Sequence, residues 1–397
     1  MSTTREAVAT VLDQAGLSEL VEAPVRATRL RVKPGVSVVF ALLDPDSART
    51  WGWGRLLWPE SHVKTALLAR KALRHGLRTT ERRLSPELVL QTGRVSTDPR
   101  LLPHLRAAFR LGVLPERRGT SILRYNPLRR LVVHHGQEVV RVTTSPQDQQ
   151  IALTELLAQA VPVPPRTGVM RSQLHQGTHL SAVRYVGDGD LGARPDHQAA
   201  VRAGAALARL HRYQVPQVTA PASTQRLAQV HAEVLSALDP SLAAQVLETG
   251  AALPALAEPG SRPVLSHGDF SPDQVLVDRD HGQVWLTDFE RLCRAPAALD
   301  LGSFLSLAPP GTGAALLEGY ADAGGQPPPQ PLLQAGALRS RLARLTEPLR
   351  RGAPGWHEQV SKEARSLREA AGRWSPHGAR APGPGTLRHL DHHTHLA

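Results

Sequence analysis

The chain has 397 residues, 41% of them hydrophobic and 21% charged, enough to bury a core and to suggest two or three folding units. No uncharged apolar run has the length that spans a bilayer, the charged N-terminus lacks a signal-peptide core, and the single Cys293 excludes an internal disulfide framework and fits a reducing cytoplasm. The formal charge of +12 is wholly N-terminal: residues 1–145 hold 24 Lys and Arg against 12 Asp and Glu, and the remainder holds 23 against 23. Aromatics at 4% and the lack of an RNA-binding signature speak against a dedicated nucleic-acid binder, which leaves the excess to attract phosphate or another anionic partner or to form a solvated Arg-rich surface.

In chain order, Thr28–Leu43 (TRLRVKPGVSVVFALL) alternates around a Lys-Pro-Gly turn and predicts a hairpin, followed by WGWGRLLW and a helical stretch near His62–His75. Thr120–Thr143 predicts three short strands separated by Asn126–Arg129 and His135–Gln137. Its LRYNPLRRLVV is a weak echo of LRVKPGVSVVF upstream. Pro146–Gln159 reads as a helix, and His179–Val186 as a strand that breaks at Gly187–Leu191. Asp196–Tyr213 places Val201, Ala205, Leu207, Ala208 and Leu210 on one helical face, with His211 expected as a buried histidine bonded to nearby backbone.

Leu265 to Phe304 carries the chemistry. Asp269 follows His267-Gly268, Gln274 lies five residues on, and Asp288 sits just past the second strand of a predicted hairpin, Gln274–Val277 with Gln283–Thr287. The hairpin folds the two ends together. Phosphoryl transfer from a nucleotide needs this layout, because positioning and neutralisation of phosphate charge supply most of its catalysis. Asp269 would accept or orient the proton of an attacking hydroxyl, and the amide oxygen of Gln274 with the Asp288 carboxylate would suit Mg²⁺, which takes hard oxygen ligands and the substrate's own phosphates. Cys293 reads as a small core residue behind this loop. Beyond it, Gly313–Gly324, Pro331–Arg351 and Trp356–Trp374 predict helices, and from Ser375 the chain turns to Pro, Gly and His. The tail, with His389, His392, His393 and His395, is expected to be disordered.

His267-Gly268-Asp269, Asp288 and Asp300 in ALDLG resemble the aminoglycoside phosphotransferase and choline kinase superfamily, and the pairing of Gln274 with Asp-Phe-Glu at 288–290 is more similar to its maltokinase branch. The resemblance implies an α+β, bilobal protein-kinase-like fold. It divides the chain into an N-terminal α/β cap (1–112), a small antiparallel-sheet nucleotide lobe (113–187), an α-rich C-lobe (188–375) and the tail (376–397). It implies ATP as donor, Mg²⁺ as cofactor, and a sugar, aminoglycoside or related polyol as hydroxyl acceptor. Asp300 would brace the catalytic loop.

The superfamily's phosphate-contacting lysine is missing, because no Lys stands between Lys71 and Lys362. Arg141 occupies the expected place on the third strand, and Glu155 in the next helix is its expected partner. Arg129 and Arg130 replace glycines in the first turn, and guanidinium matches phosphate bidentately. The missing lysine also leaves open a degenerate protein that binds nucleotide or a partner without transfer. In another arrangement residues 28–65 would form the nucleotide lobe, with Lys64 on phosphate.

Overall fold

The computed structural model describes residues 3–115, 119–167, 178–215, 218–256 and 262–374, so the histidines of the tail lie outside the described residues. The first hundred residues build more sheet than their pattern predicted. β1 (Arg26–Lys33) and β2 (Ser37–Leu43) form the expected hairpin, and the WGWGRLL segment is itself a strand, β3 (Thr50–Leu57). With β4 (Thr80–Ser85) and β5 (Leu88–Gly93) they make an antiparallel sheet of order β1-β2-β3-β5-β4. Glycine inside β3 obscured it, yet the glycine is required: a Cβ on Gly54 would stand 2.2 Å from the ring of Phe40.

Helices α1 (Thr4–Leu12) and α2 (Gln14–Val21) close one face of this sheet, burying Ala7, Val8, Val11 and Leu17 with Val38, Phe40 and Leu42. A capping box at Thr3 and Glu6 starts α1. Trp53 of β3 packs into a second core with Leu68 of α3 (Val63–Leu73) and Leu101 and Leu105 at α4 (Leu102–Arg110). The same core takes in Leu131, Val133, Val140 and Val142 of the next sheet, so the two sheet units share apolar contacts.

That next sheet holds β6 (Thr120–Asn126), β7 (Arg130–His135), β8 (Glu138–Thr143) and β9 (Leu180–Arg184), antiparallel and in sequence order. Each strand falls where alternation placed it, with α5 (Asp148–Leu157) after the third. The remainder is helical around two short ladders. Gly189–Asp190 (β10) joins the hairpin β12 (Val275–Asp278) and β13 (Gln283–Leu286), while β11 (Val264–Ser266) pairs with β14 (Cys293–Ala295).

Helix His197–Arg212 lies against Thr312–Asp322 at backbone contact: a Cβ on Gly319 would meet the Val201 carbonyl at 1.9 Å. The result is an α+β, bilobal kinase-like architecture with an additional N-terminal sheet. One expected helix is two. Pro331–Arg351 breaks between Gln330–Ala343 and Glu347–Arg351, because Pro348 has no N–H to continue the ladder and its ring would clash with the carbonyl of Arg344. Arg344 sits in that break and turns toward Asp269.

Candidate active site

Strand β11 delivers the chain into His267-Gly268-Asp269. Gly268 has φ 84°, and a Cβ there would lie 2.0 Å from the Arg291 carbonyl, so the bend demands glycine. Asp300, on the wholly buried face of helix Ala298–Leu305, accepts from the backbone N–H of His267 (2.7 Å) and Gly268 (2.9 Å). It also accepts from His211 Nε2 at 3.0 Å, and His211 Nδ1 lies 2.8 Å from the Tyr320 hydroxyl. His211 is therefore held by side chains of two other helices, not by backbone as expected. Burial leaves no water to replace these bonds, so the Asp300 carboxylate fixes the loop from within.

His267 is itself buried. Its Nε2 is 2.7 Å from the Thr287 carbonyl, which can only accept, so that nitrogen carries the proton and ties the catalytic loop to the residue before Asp288. Thr287 also donates its N–H to the Gln274 carbonyl (3.0 Å) and its hydroxyl toward Gln274 Oε1 (3.4 Å). The hairpin thus brings Gln274 and Asp288 together as its sequence predicted. Asp288 has φ 63° and ψ 49°, a left-handed conformation that Asp tolerates better than most residues.

The free oxygens at this pair fit a hard cation. Asp288 Oδ1 is buried without a hydrogen-bond partner, its nearest cations being Arg130 Nη1 at 3.7 Å from Oδ1 and Arg124 Nη1 at 3.6 Å from Oδ2. A buried carboxylate oxygen left open in this way, beside an amide oxygen with one long contact, supplies the oxygen donors Mg²⁺ prefers.

Asp269 opens on the same cavity. Its oxygens pair with Arg344 Nη2 (3.1 Å) and Arg291 Nη1 (3.2 Å), and the Arg291 side chain is largely exposed. The cavity has a volume of about 1640 Å³ and is lined by Asp269, Gln274, Asp288, Arg129 and Arg130 together. Arg141 is on β8 and engages Glu290, which Arg130 also contacts at 3.0 Å. Burial, then Arg130, pulls the Arg141 guanidinium down to about 10. Glu155 is not brought to Arg141; it pairs with Arg166 and is half exposed. Helix α5 turns that carboxylate toward the Arg166 edge, and Glu290 fills the place expected of it. Lys64, on α3, donates to Ser61 at 3.1 Å.

Several participants went unrecognised in sequence. Arg344 and Arg291 look like ordinary surface arginines until the fold places them on Asp269. Cys293, behind the loop on β14, is buried, and burial followed by Asp300 pushes its thiol up to about 12, consistent with its reading as core. Asp98, from the N-terminal unit, pins the β6–β7 turn. It accepts from the Tyr125 hydroxyl (2.7 Å) and the Leu128 N–H (2.8 Å), besides Arg100 and Leu101 N–H at 3.0 Å each. Asp98→Ala would strand these buried donors and should lower stability by about 3 kcal/mol. Equilibrium urea unfolding checks this, and an unchanged midpoint would mean the turn is held by other contacts.

A sheet lobe and a helical lobe around a braced His-Gly-Asp loop, with a Gln–Asp pair across one hairpin, define a small-molecule phosphotransferase of kinase-like architecture. The chain belongs to the phosphotransferase enzyme family, whose model matches residues 125–343. No curated protein matches it significantly. Similar solved structures include a choline/ethanolamine kinase family protein from Mesorhizobium loti, 17% identical over 68% of this chain and 94% of its own, with TM-score 0.47. A spectinomycin phosphotransferase solved with ADP and spectinomycin is 13% identical over 64% of this chain and 92% of its own, TM-score 0.44. An aminoglycoside-3'-phosphotransferase of type VIII is 20% identical over 60% and 98%, TM-score 0.42. Among the described residues, no helix is long and apolar enough to cross a membrane.

Proposed function

We propose that this phosphotransferase moves the γ-phosphoryl group of ATP to a hydroxyl of a sugar, aminoglycoside or related polyol, with Mg²⁺ as cofactor, in the cytoplasm. The observation that carries this reading is the convergence of Asp269, Gln274 and the open oxygen of Asp288 on one cavity under the arginines of the β6–β7 turn. Gln274 and Asp288 would hold the metal, which when bound neutralises phosphate charge and aligns the triphosphate. Arg129 and Arg130 flank the phosphates from the turn, and Arg141, joined to Glu290, holds positive charge behind them.

In the transfer, the acceptor oxygen forms a bond to the γ-phosphorus as the bond from that phosphorus to the β–γ bridging oxygen breaks. ADP leaves with the electron pair, and the acceptor's proton passes to Asp269. Arg291 must release Asp269 for the hydroxyl to approach, while Arg344 keeps the other oxygen oriented. The Asp300 brace keeps the loop from following Arg291 outward.

Nucleotide binding tests the reading ahead of any acceptor. ATP at a hundred times its dissociation constant should stabilise the native chain by about 2.7 kcal/mol, seen as a raised thermal midpoint, and should do so only with Mg²⁺. Asp288→Ala should erase the Mg²⁺ dependence. A Mg²⁺-independent shift, or none with any nucleotide, would overturn the metal assignment or the donor respectively.

A further inference from the structure

The cavity that holds Asp269 extends well past the nucleotide residues, and its far wall is the N-terminal unit. Fourteen lysine and arginine side chains line it against six carboxylates. Seven of the fourteen come from residues 1–112, which contribute no carboxylate at all. Arg29, Arg31 and Lys33 stand on β1, Lys64 and Lys71 on α3, and Arg100 just before α4. Three independent elements therefore aim cations into one concave space. A solvated basic face would be convex and interleaved with acidic residues, which this wall is not.

Local geometry shows that the wall is built. β1 carries a bulge between Thr28 and Arg31, with Arg29 at φ 55°, an unusual conformation for a long side chain. Arg31 Nη2 reaches across to the Pro127 carbonyl at 3.3 Å, so the β1–β2 hairpin meets the β6–β7 turn, the two segments whose sequences echo one another. Arg31, Lys33 and Lys71 form no ion pair among the described residues. Burial, and then Arg129, lowers Arg31 to about 10, and the buried Asp98 carboxylate only partly offsets this, as expected for a partly desolvated cation beside other cations.

Grouping like charges in a cavity is unfavourable unless an anion completes it. The donor phosphates already have Arg129, Arg130 and the metal pair, and an excess of eight positive side chains is more than one magnesium nucleotide neutralises. Building on the kinase reading, we propose that the N-terminal unit is the acceptor-recognition wall, and that the acceptor is a polyhydroxy compound already bearing a phosphate or carboxylate group, which β1 and α3 hold while a free hydroxyl faces Asp269. A polycationic acceptor would be repelled from the same wall. Among the acceptor classes above, anionic sugars and polyols fit it and aminoglycosides do not.

The test uses the full chain saturated with Mg·ADP, which fills the donor side, and titrates inorganic phosphate. Phosphate should raise the thermal midpoint beyond that of Mg·ADP alone, and Lys33→Gln/Lys71→Gln should weaken this second binding about tenfold, the loss of roughly 1.4 kcal/mol. Arg31→Gln provides a second variant on the same wall. In turnover assays glucose 6-phosphate and gluconate should each exceed glucose in kcat/KM by at least about tenfold, the two arms separating phosphate from carboxylate, with kanamycin the poorest. Phosphate that competes with ADP would assign the wall to the donor and overturn the proposal. Phosphate binding unaffected by all three substitutions would also overturn it, as would equal use of glucose and its charged counterparts. Failure of the kinase reading is seen separately, as absence of Mg·ADP binding in the unaltered chain.

Discussion

Asp269→Asn should lower kcat by about 10²–10⁴-fold, the range a positioned proton acceptor contributes, while leaving nucleotide binding nearly intact. The amide keeps the shape of the carboxylate but takes no proton and weakens the hold of Arg291 and Arg344, whose contacts at 3.2 and 3.1 Å orient both oxygens. Single-turnover transfer measured beside a Mg·ATP thermal shift separates chemistry from binding. A kcat within twofold of the unaltered protein would show that the acceptor hydroxyl is oriented by some other group, and an inactive unaltered protein that still binds nucleotide would indicate a degenerate member of the family.

Asp300→Ala should be the most damaging single change outside the apolar cores, costing about 3–5 kcal/mol of stability. It strands the His267 and Gly268 N–H groups and leaves His211 bonded only to Tyr320, all in a region without water access. Because those two N–H groups shape the bend that presents Asp269, the folded fraction should also lose kcat with little change in nucleotide affinity. Asp300→Asn keeps one acceptor and should recover part of the stability. Denaturant unfolding alongside transfer kinetics checks both halves, and a midpoint shift below about 1 kcal/mol would remove Asp300 from the role of brace.

These two residues differ in how they could be found. Asp269 is visible from its neighbours in the chain, since His-Gly-Asp, the five-residue step to Gln274 and the hairpin to Asp288 are all local spacings. The brace is local only at one end: Asp300 was recognised in its motif, whereas its bond to His211 spans 89 positions. Partner choice was less legible. Glu155 follows Arg141 in a helix, as a carboxylate partner should, yet Glu290 reaches Arg141 from the helical lobe. Likewise Asp98 carries no motif, and its function exists only because the N-terminal unit packs over the β6–β7 turn.

The sequence by itself located the strands of the β6–β9 sheet, the helix His197–Arg212, the hairpin that brings Gln274 and Asp288 together, and the excess charge in residues 1–145. Those features depend on alternation, helical periodicity and short-range spacing, which a single chain displays directly. The tertiary structure alone decided which cations meet which carboxylates, that Arg344 and Arg291 converge on Asp269, and that the N-terminal basic residues face the catalytic cavity. Long side chains find partners through space, so their pairing follows from packing between distant elements rather than from any local pattern.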